Sequence, residues 1–161
     1  MNANETENVL FLCTGNSARS ILGEVVMNAL GQGRFTAFSA GSRPAGRVHP
    51  GALAELSRRG HDTLGLRSKS WDEYALSGAE QMRWIITVCD SAAGESCPVW
   101  PGSPRRVHWG LRDPAAAEPD EVADAFRNTY DALAHRIESF VALSTRLHEG
   151  ELERAVRELG G

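Results

Sequence analysis

Sequence patterns typical of a strand, a turn and a helix follow one another without a break near the start of the chain. Residues 9–12 form a continuous apolar run, which is typical of a strand buried on both faces of a sheet. Residues 13–16 are rich in turn formers, and over residues 21–30 apolar side chains recur at helical spacing until Gly31. Units of this kind build parallel sheets covered by helices. The feature therefore predicts an α/β fold.

The rest of the chain repeats this alternation. Further strands are predicted at residues 35–40, at residues 84–88 and around residues 107–108. Further helices are predicted from Pro50 to before Gly60, from Trp71 onwards, and along residues 122–147. The start at Trp71 rests on Ser70 and Glu73, which have the spacing of a capping box.

The length and the charge of the chain limit the possible functions. With 161 residues we expect one domain, 1–161, with a core over residues 8–147 and a C-terminal helical extension over residues 148–161. The net charge of −4, without a cluster of Lys and Arg, argues against nucleic-acid binding. No apolar run approaches the ~20 residues of a membrane span, and residues 1–8 lack a secretory signal pattern. We expect a cytoplasmic protein, where its three cysteines would not form structural disulfides.

Five residues separate Cys13 from Arg19 in the turn that follows the first strand. A loop between a strand and a helix can surround a tetrahedral oxyanion with backbone N–H groups, and the helix N-terminus adds a favourable dipole. Arg19 would bind two oxygens of the anion through its planar guanidinium. The predicted substrate-binding residues are Thr14, Gly15, Asn16, Ser17, Ala18, Arg19 and Ser20.

Cys13 is the predicted nucleophile of this loop. The surrounding donors favour its thiolate, and Ser20 can donate a hydrogen bond to the sulfur. We expect Gly15 to let the backbone turn where a side chain would intrude, and Asn16 to brace the loop in a left-handed conformation. The alternative is that Cys13 is an ordinary buried thiol at the end of a strand.

Residues 9–20, together with Asp113 and Pro114, resemble the low-molecular-weight protein tyrosine phosphatases and the arsenate reductases that share their fold. The resemblance implies a four-stranded parallel sheet flanked by helices. It also implies a nucleophile after the first strand and an aspartate on a late loop. Asp113 would then be the general acid, and it must be protonated to act. Without the resemblance, Asp113 and Pro114 could equally be a simple turn.

Two further cysteines bear on the choice between the two activities. A phosphatase hydrolyses its phosphocysteine with water, whereas a reductase needs a second thiol that attacks the sulfur of the nucleophile and releases arsenite. Cys89 follows a predicted strand, and seven small or polar residues separate it from Cys97. We expect Cys89 to attack Cys13, and Cys97 then to attack Cys89. The alternative makes Cys89 a buried thiol and Cys97 a bystander.

Residues 88–117 are similar to the thioredoxin-coupled arsenate reductases in particular. These relatives carry a cysteine after a strand, a cysteine followed by proline, His-Trp-Gly and Asp-Pro-Ala. The matching residues here are Cys89, Cys97, Pro98, His108, Trp109, Gly110, Asp113, Pro114 and Ala115. The Cys89–Cys97 spacer is one residue longer than in the best-known members, so the resemblance leaves thioredoxin and glutathione/glutaredoxin open as the external reductant. We expect His108 and Trp109 to pack at a strand end.

Some relatives hold a potassium ion beside the loop through an Asn, a Glu, a Ser and an Asp. Asn16, Glu24 and Ser39 match three of these ligands, but Lys69 stands where the aspartate would be. The ammonium group of Lys69 could take the place of the cation, so we expect neither a metal nor a bound cofactor. The sequence thus predicts a cytoplasmic arsenate reductase. A phosphatase acting on phosphotyrosine or small phosphate esters is the alternative, and a module that senses oxyanions without turnover is a third possibility.

Overall fold

The computed structural model describes residues 6–76, 80–89 and 100–160 of the chain. Over these residues the strands are β1 (Glu7–Cys13), β2 (Phe35–Gly41), β3 (Trp84–Thr87) and β4 (Arg105–His108). The helices are α1 (Arg19–Leu30), α2 (Pro50–Arg58), α3 (Asp72–Ala75), α4 (Val122–Ser144) and α5 (Glu149–Glu158), and Pro114–Ala116 forms a 3₁₀ turn.

The four strands form one parallel sheet in the order β2-β1-β3-β4. The register pairs Cys13 with Gly41 on one side of β1 and Leu12 with Thr87 on the other. All four carboxyl ends therefore lie at the same edge of the sheet, which is where parallel sheets bind ligands. The predicted α/β fold with a four-stranded parallel sheet is confirmed.

Alternate residues of the central strands are buried on opposite faces of the sheet. Val9 and Phe11 belong to the larger core, which includes residues of α1, α2, α4 and α5, whereas Leu10 and Leu12 join a smaller one beside α3. Helix α1 lies close to the sheet, because a Cβ on Gly23 would come within 2.7 Å of the Phe11 ring. This close packing holds α1 against β1, with residues 14–18 as the loop between them.

The short helix α3 differs from its prediction. It begins at Asp72 rather than Trp71, and the Ser70 hydroxyl accepts a hydrogen bond from the Asp72 N–H at 3.1 Å. The Glu73 carboxylate binds the Arg67 guanidinium at 2.6 and 3.0 Å. The predicted capping box is therefore wrong, because the Glu73 carboxylate pairs with Arg67 and the Ser70 hydroxyl binds the N–H of Asp72 rather than that of Glu73.

None of the helices in the described ranges is both long enough and apolar enough to cross a membrane.

Candidate active site

The loop between β1 and α1 is held from outside through its carbonyl groups. Three backbone N–H groups of the segment after β2 donate to it: Arg43 to Thr14 O at 2.9 Å, Ala45 to Gly15 O at 2.9 Å and His49 to Ser17 O at 2.8 Å. The N–H groups of Gly15, Ser17 and Ala18 donate to no acceptor within the described part of the chain. Those amides are available to an anion.

The N-terminus of α1 adds to this set of donors. Ala18 is the N-cap residue and has no side chain that could accept a hydrogen bond from the first turn. The helix is 12 residues long, and no acidic residue occupies its first turn. Its terminal N–H groups and its dipole therefore favour an anion bound in the loop.

Gly41, at the end of β2, is the position where the loop requires a glycine. A Cβ on Gly41 would overlap the carbonyl oxygen of Thr14 and would lie 3.0 Å from the Asn16 nitrogen. At Gly15, where we predicted this steric requirement, a Cβ would only reach ordinary contact with Ser17 Oγ at 3.6 Å. The prediction for Gly15 is wrong, because the close approach is made by the neighbouring strand and not within the loop.

Cys13 lies at the end of β1 and is 4% exposed. Its sulfur is 2.9 Å from Ser20 Oγ and accepts the Asn16 N–H at 3.3 Å. The Asn16 side-chain amide in turn donates to Ser20 Oγ at 2.8 Å. Because Ser20 Oγ accepts that bond, its own hydrogen can be directed at the sulfur. Two hydrogen-bond donors thus converge on Sγ and fix its position at the base of the loop.

Asn16 stabilises the conformation of the loop through its backbone and its side chain. It has a φ of 45°, the left-handed conformation expected from the sequence, and is fully buried. Its side-chain oxygen accepts the backbone N–H of Lys69 at 2.8 Å, which fixes the amide so that its NH₂ faces Ser20. Ser68, which the sequence did not single out, holds the loop at a second point by donating to Gly15 O at 3.0 Å.

Arg19 joins the loop to the segment that carries Asp113. Its Nη1 donates to Leu111 O at 2.8 Å, and its Nη2 lies 3.9 Å from Asp113 Oδ2. The other carboxylate oxygen of Asp113 accepts the Ala115 N–H at 3.0 Å, so Asp113 caps the 3₁₀ turn. One oxygen is thus fixed by the backbone, and the other faces the guanidinium at the entrance of the loop.

Cys89 lies two residues beyond β3, beside the loop. Val88 N donates to Leu12 O at 2.9 Å, so β3 continues next to the end of β1. The sulfur of Cys89 is 3.7 Å from the hydroxyl of Thr14, the residue after Cys13. Cys89 is 3% exposed and belongs to the same apolar core as Cys13, and both are free thiols. Cys97 lies outside the described residues.

Lys69 is a buried cation beside the loop. Its ammonium group donates to Arg67 O at 3.0 Å and to Ser39 Oγ at 3.3 Å, and it lies 3.6 Å from Glu24 Oε1. Burial lowers the pKa of Lys69, while the nearby Glu24 carboxylate opposes that shift. The ammonium therefore contacts two of the three groups that match the potassium ligands of relatives. The third, Asn16, binds the Lys69 backbone instead.

The sequence profile of a known family agrees with this arrangement of strand, loop and late aspartate. The family described as low molecular weight phosphotyrosine protein phosphatase matches residues 8–154. The chain belongs to this family. The resemblance seen in residues 9–20 and Asp113 is thereby confirmed, and so is the prediction that the chain is an enzyme.

Relatives within the low molecular weight phosphatase family include proteins named arsenate reductase. The one from Halalkalibacterium halodurans is 35% identical over 134 residues, which cover 82% of this chain and 93% of that protein. A solved arsenate reductase from Archaeoglobus fulgidus superposes with a TM-score of 0.66 at 28% identity, covering 83% of this chain and 98% of the other. A thioredoxin-dependent arsenate reductase from Corynebacterium glutamicum has a TM-score of 0.63 at 25% identity, covering 89% of this chain and 65% of the other.

Proposed function

We propose that the chain is an arsenate reductase that works through a relay of cysteine thiols. The observation that carries the proposal is the position of Cys89. Its buried sulfur lies against Thr14, next to the nucleophile in sequence and at the end of the neighbouring strand. Hydrolysis of a phosphocysteine needs only water, so a phosphatase has no use for a second thiol there. The arsenate reductases among its relatives agree with this proposal.

In the first step the loop binds the oxyanion and Cys13 attacks it. The N–H groups of the loop and the Arg19 guanidinium hold the oxygens, and the hydrogen bonds from Ser20 and Asn16 fix the position of the attacking sulfur. The sulfur forms a bond to arsenic while one arsenic–oxygen bond breaks. Asp113, whose Oδ2 faces the guanidinium, protonates the departing oxygen, which leaves as water.

In the second step Cys89 attacks the sulfur of Cys13. A disulfide forms between the two residues, and the electron pair of the sulfur–arsenic bond remains on arsenic, which leaves as arsenite. Arsenic is thus reduced by two electrons and the two thiols are oxidised. Cys97 would then attack Cys89, which returns Cys13 to the thiolate and moves the disulfide to the Cys89–Cys97 pair.

An external thiol has to reduce that final disulfide. We propose thioredoxin as the reductant, because a solved relative at 25% identity is described as thioredoxin-dependent. Glutathione with glutaredoxin is the second candidate. Because a relay of this kind depends on a supply of reduced thiols, we also propose a cytoplasmic location.

The test is a comparison of two reactions of the wild-type chain. Arsenate-dependent oxidation of NADPH is followed with thioredoxin and its reductase, and separately with glutathione, glutaredoxin and their reductase. Hydrolysis of para-nitrophenyl phosphate is measured in parallel. We expect NADPH oxidation that depends on arsenate, and faster with thioredoxin. Ester hydrolysis without any arsenate-dependent oxidation in either system would identify a phosphatase instead, and the absence of both reactions would favour an oxyanion-sensing module.

Lys69 leads to a prediction about alkali cations. Because its ammonium already contacts Glu24 and Ser39, we expect equal rates of arsenate reduction in potassium chloride and in sodium chloride at the same ionic strength. In Lys69→Asp, which introduces the carboxylate that potassium-binding relatives have, we expect potassium to raise the rate above that in sodium. A clear stimulation of the wild type by potassium would show that the ammonium does not replace the cation.

A further inference from the structure

The C-terminal helix α5 covers the outer edge of the sheet at β4. Its Leu152 and Val156 side chains are buried in the larger core. Arg105 of β4 pairs with Glu153 at 3.1 Å and with Glu149 at 3.2 Å. The Arg157 guanidinium of α5 donates to the backbone carbonyl of Arg106 at 3.0 Å. Strand β4 is thus covered by a helix instead of presenting a free edge.

The same helix also holds the residue from which the Asp113 segment begins. The indole N–H of Trp109 donates to the carbonyl of Val156 at 2.8 Å, and Trp109 is fully buried. Close to this bond, a Cβ on Gly160 would come within 2.8 Å of the Trp109 ring. The Trp109 ring also packs near Phe11 and Phe140, at centroid distances of 6.4 and 6.3 Å. Trp109 is therefore held between the sheet core and the end of α5.

Residues 109–113 connect Trp109 to the proposed acid, and we call them the acid segment. Its backbone follows the end of β3, since Trp109 N donates to Thr87 O at 2.7 Å and Leu111 N donates to Val88 O at 3.1 Å. Arg19 then binds Leu111 O at 2.8 Å. Among the described residues, the hydrogen bond from the Trp109 indole to Val156 O is the one that joins this segment to α5.

We propose that α5 is a clamp that positions Asp113 through the Trp109–Val156 hydrogen bond. Trp109 and Val156 are positioning residues, because neither touches the reacting atoms. The inference rests on the proposed function only in taking Asp113 as the general acid. Loosening Trp109 would let the acid segment shift and misalign the carboxyl group with the departing oxygen, whereas the loop amides would still bind the anion. The clamp should therefore affect kcat more than anion binding.

Two tryptophans allow a matched test in the full-length chain. Trp109→Phe keeps an aromatic ring in place and deletes the indole donor. Trp84→Phe is the control, because Trp84 packs on the same Phe140 at 5.1 Å and its indole nitrogen has no hydrogen-bond partner among the described residues. We expect kcat to fall about tenfold in Trp109→Phe and less than about twofold in Trp84→Phe. The inhibition constant of phosphate should stay within about twofold of wild type in both.

A second variant loosens the clamp from the other side. Leu152→Ala/Val156→Ala removes the buried side chains that seat α5, and we expect a similar loss of kcat. Because this variant and Trp109→Phe weaken the same attachment of the acid segment to α5, their combination should cost no more than either alone. Independent, multiplying losses would overturn the inference, and so would equal losses in Trp109→Phe and Trp84→Phe.

The test of the clamp gives a result that does not depend on whether the chain reduces arsenate. Asp113 would be the acid in ester hydrolysis as well, so the comparison can be made on either reaction. Amide hydrogen exchange at residues 110–113 needs no reaction at all, and we expect it to be faster in Trp109→Phe than in Trp84→Phe. Equal exchange in the two variants would refute the clamp. A wild type that hydrolyses esters but does not reduce arsenate would refute only the proposed function.

Discussion

Replacing Cys89 by serine is expected to reduce multiple-turnover arsenate reduction at least about 10³-fold while leaving para-nitrophenyl phosphate hydrolysis within about twofold of wild type. The hydroxyl of serine cannot form a disulfide, so the arsenic bound to Cys13 would have no thiol to displace it. Ester hydrolysis uses only Cys13, the loop, Arg19 and Asp113, and the substitution is nearly isosteric at a residue that contacts Thr14. The measurement is NADPH oxidation beside ester hydrolysis on the same preparation.

Two control variants complete this experiment. Cys13→Ser should lose both reactions, because it removes the nucleophile itself. Cys97→Ser should stop after one turnover with a disulfide between Cys13 and Cys89, which mass spectrometry detects as the loss of two hydrogen atoms and as a linked pair of peptides. If Cys89→Ser sustained many turnovers of arsenate, the relay would be refuted, and Cys89 would be no more than a buried thiol of the core.

Arg19→Lys should lower kcat/KM for arsenate by about 10²- to 10³-fold although it preserves the positive charge. The Arg19 guanidinium already uses one nitrogen to bind Leu111 O at 2.8 Å, which fixes the plane of the group. Its other nitrogens can then meet two oxygens of the anion together. The ammonium group of lysine has no such planar pair of donors and would lose either the anion or the contact with Leu111.

The matched control for this prediction is Arg58→Lys. Arg58 is a half-exposed residue of α2 whose guanidinium binds Glu55 at 2.6 Å, and it takes no part in the site. We expect its kcat/KM to remain within about twofold of wild type. The loss in Arg19→Lys should appear in both the inhibition constant of phosphate and in kcat, since the anion is held before and during the reaction. A variant that keeps normal phosphate binding would show that Arg19 serves the acid segment alone.

Local features of the fold were readable from the sequence. The apolar run of residues 9–12, the turn that follows it and the helical spacing after Ile21 predicted β1, the loop and α1, because backbone preferences and burial periodicity act over a few neighbouring residues. Alternation of strands and helices then allowed few topologies other than a parallel sheet. The spacing of Cys13 and Arg19 indicated an anion-binding loop for the same local reason.

Contacts between different segments of the chain could not be predicted from these local patterns. Nothing near Gly41 in the sequence indicates that the Thr14 carbonyl passes over it. The spacing of Ser70 and Glu73 indicated a capping box, but in the folded chain the Glu73 carboxylate binds the Arg67 guanidinium. The capping-box pattern does not show that Glu73 has a second possible partner in Arg67, which lies outside that pattern.

The sequence by itself determined the chemistry of the site: a cysteine at a strand end, a loop of small residues, and an arginine at the start of a helix. Only the tertiary structure decided which other groups lie near these residues. It places the Cys89 sulfur beside Thr14, and it joins the Trp109 indole to Val156 of α5. The physical reason is that the parallel register brings the carboxyl ends of all strands to one edge. Residues more than seventy positions apart, such as Thr14 and Cys89, thereby become neighbours.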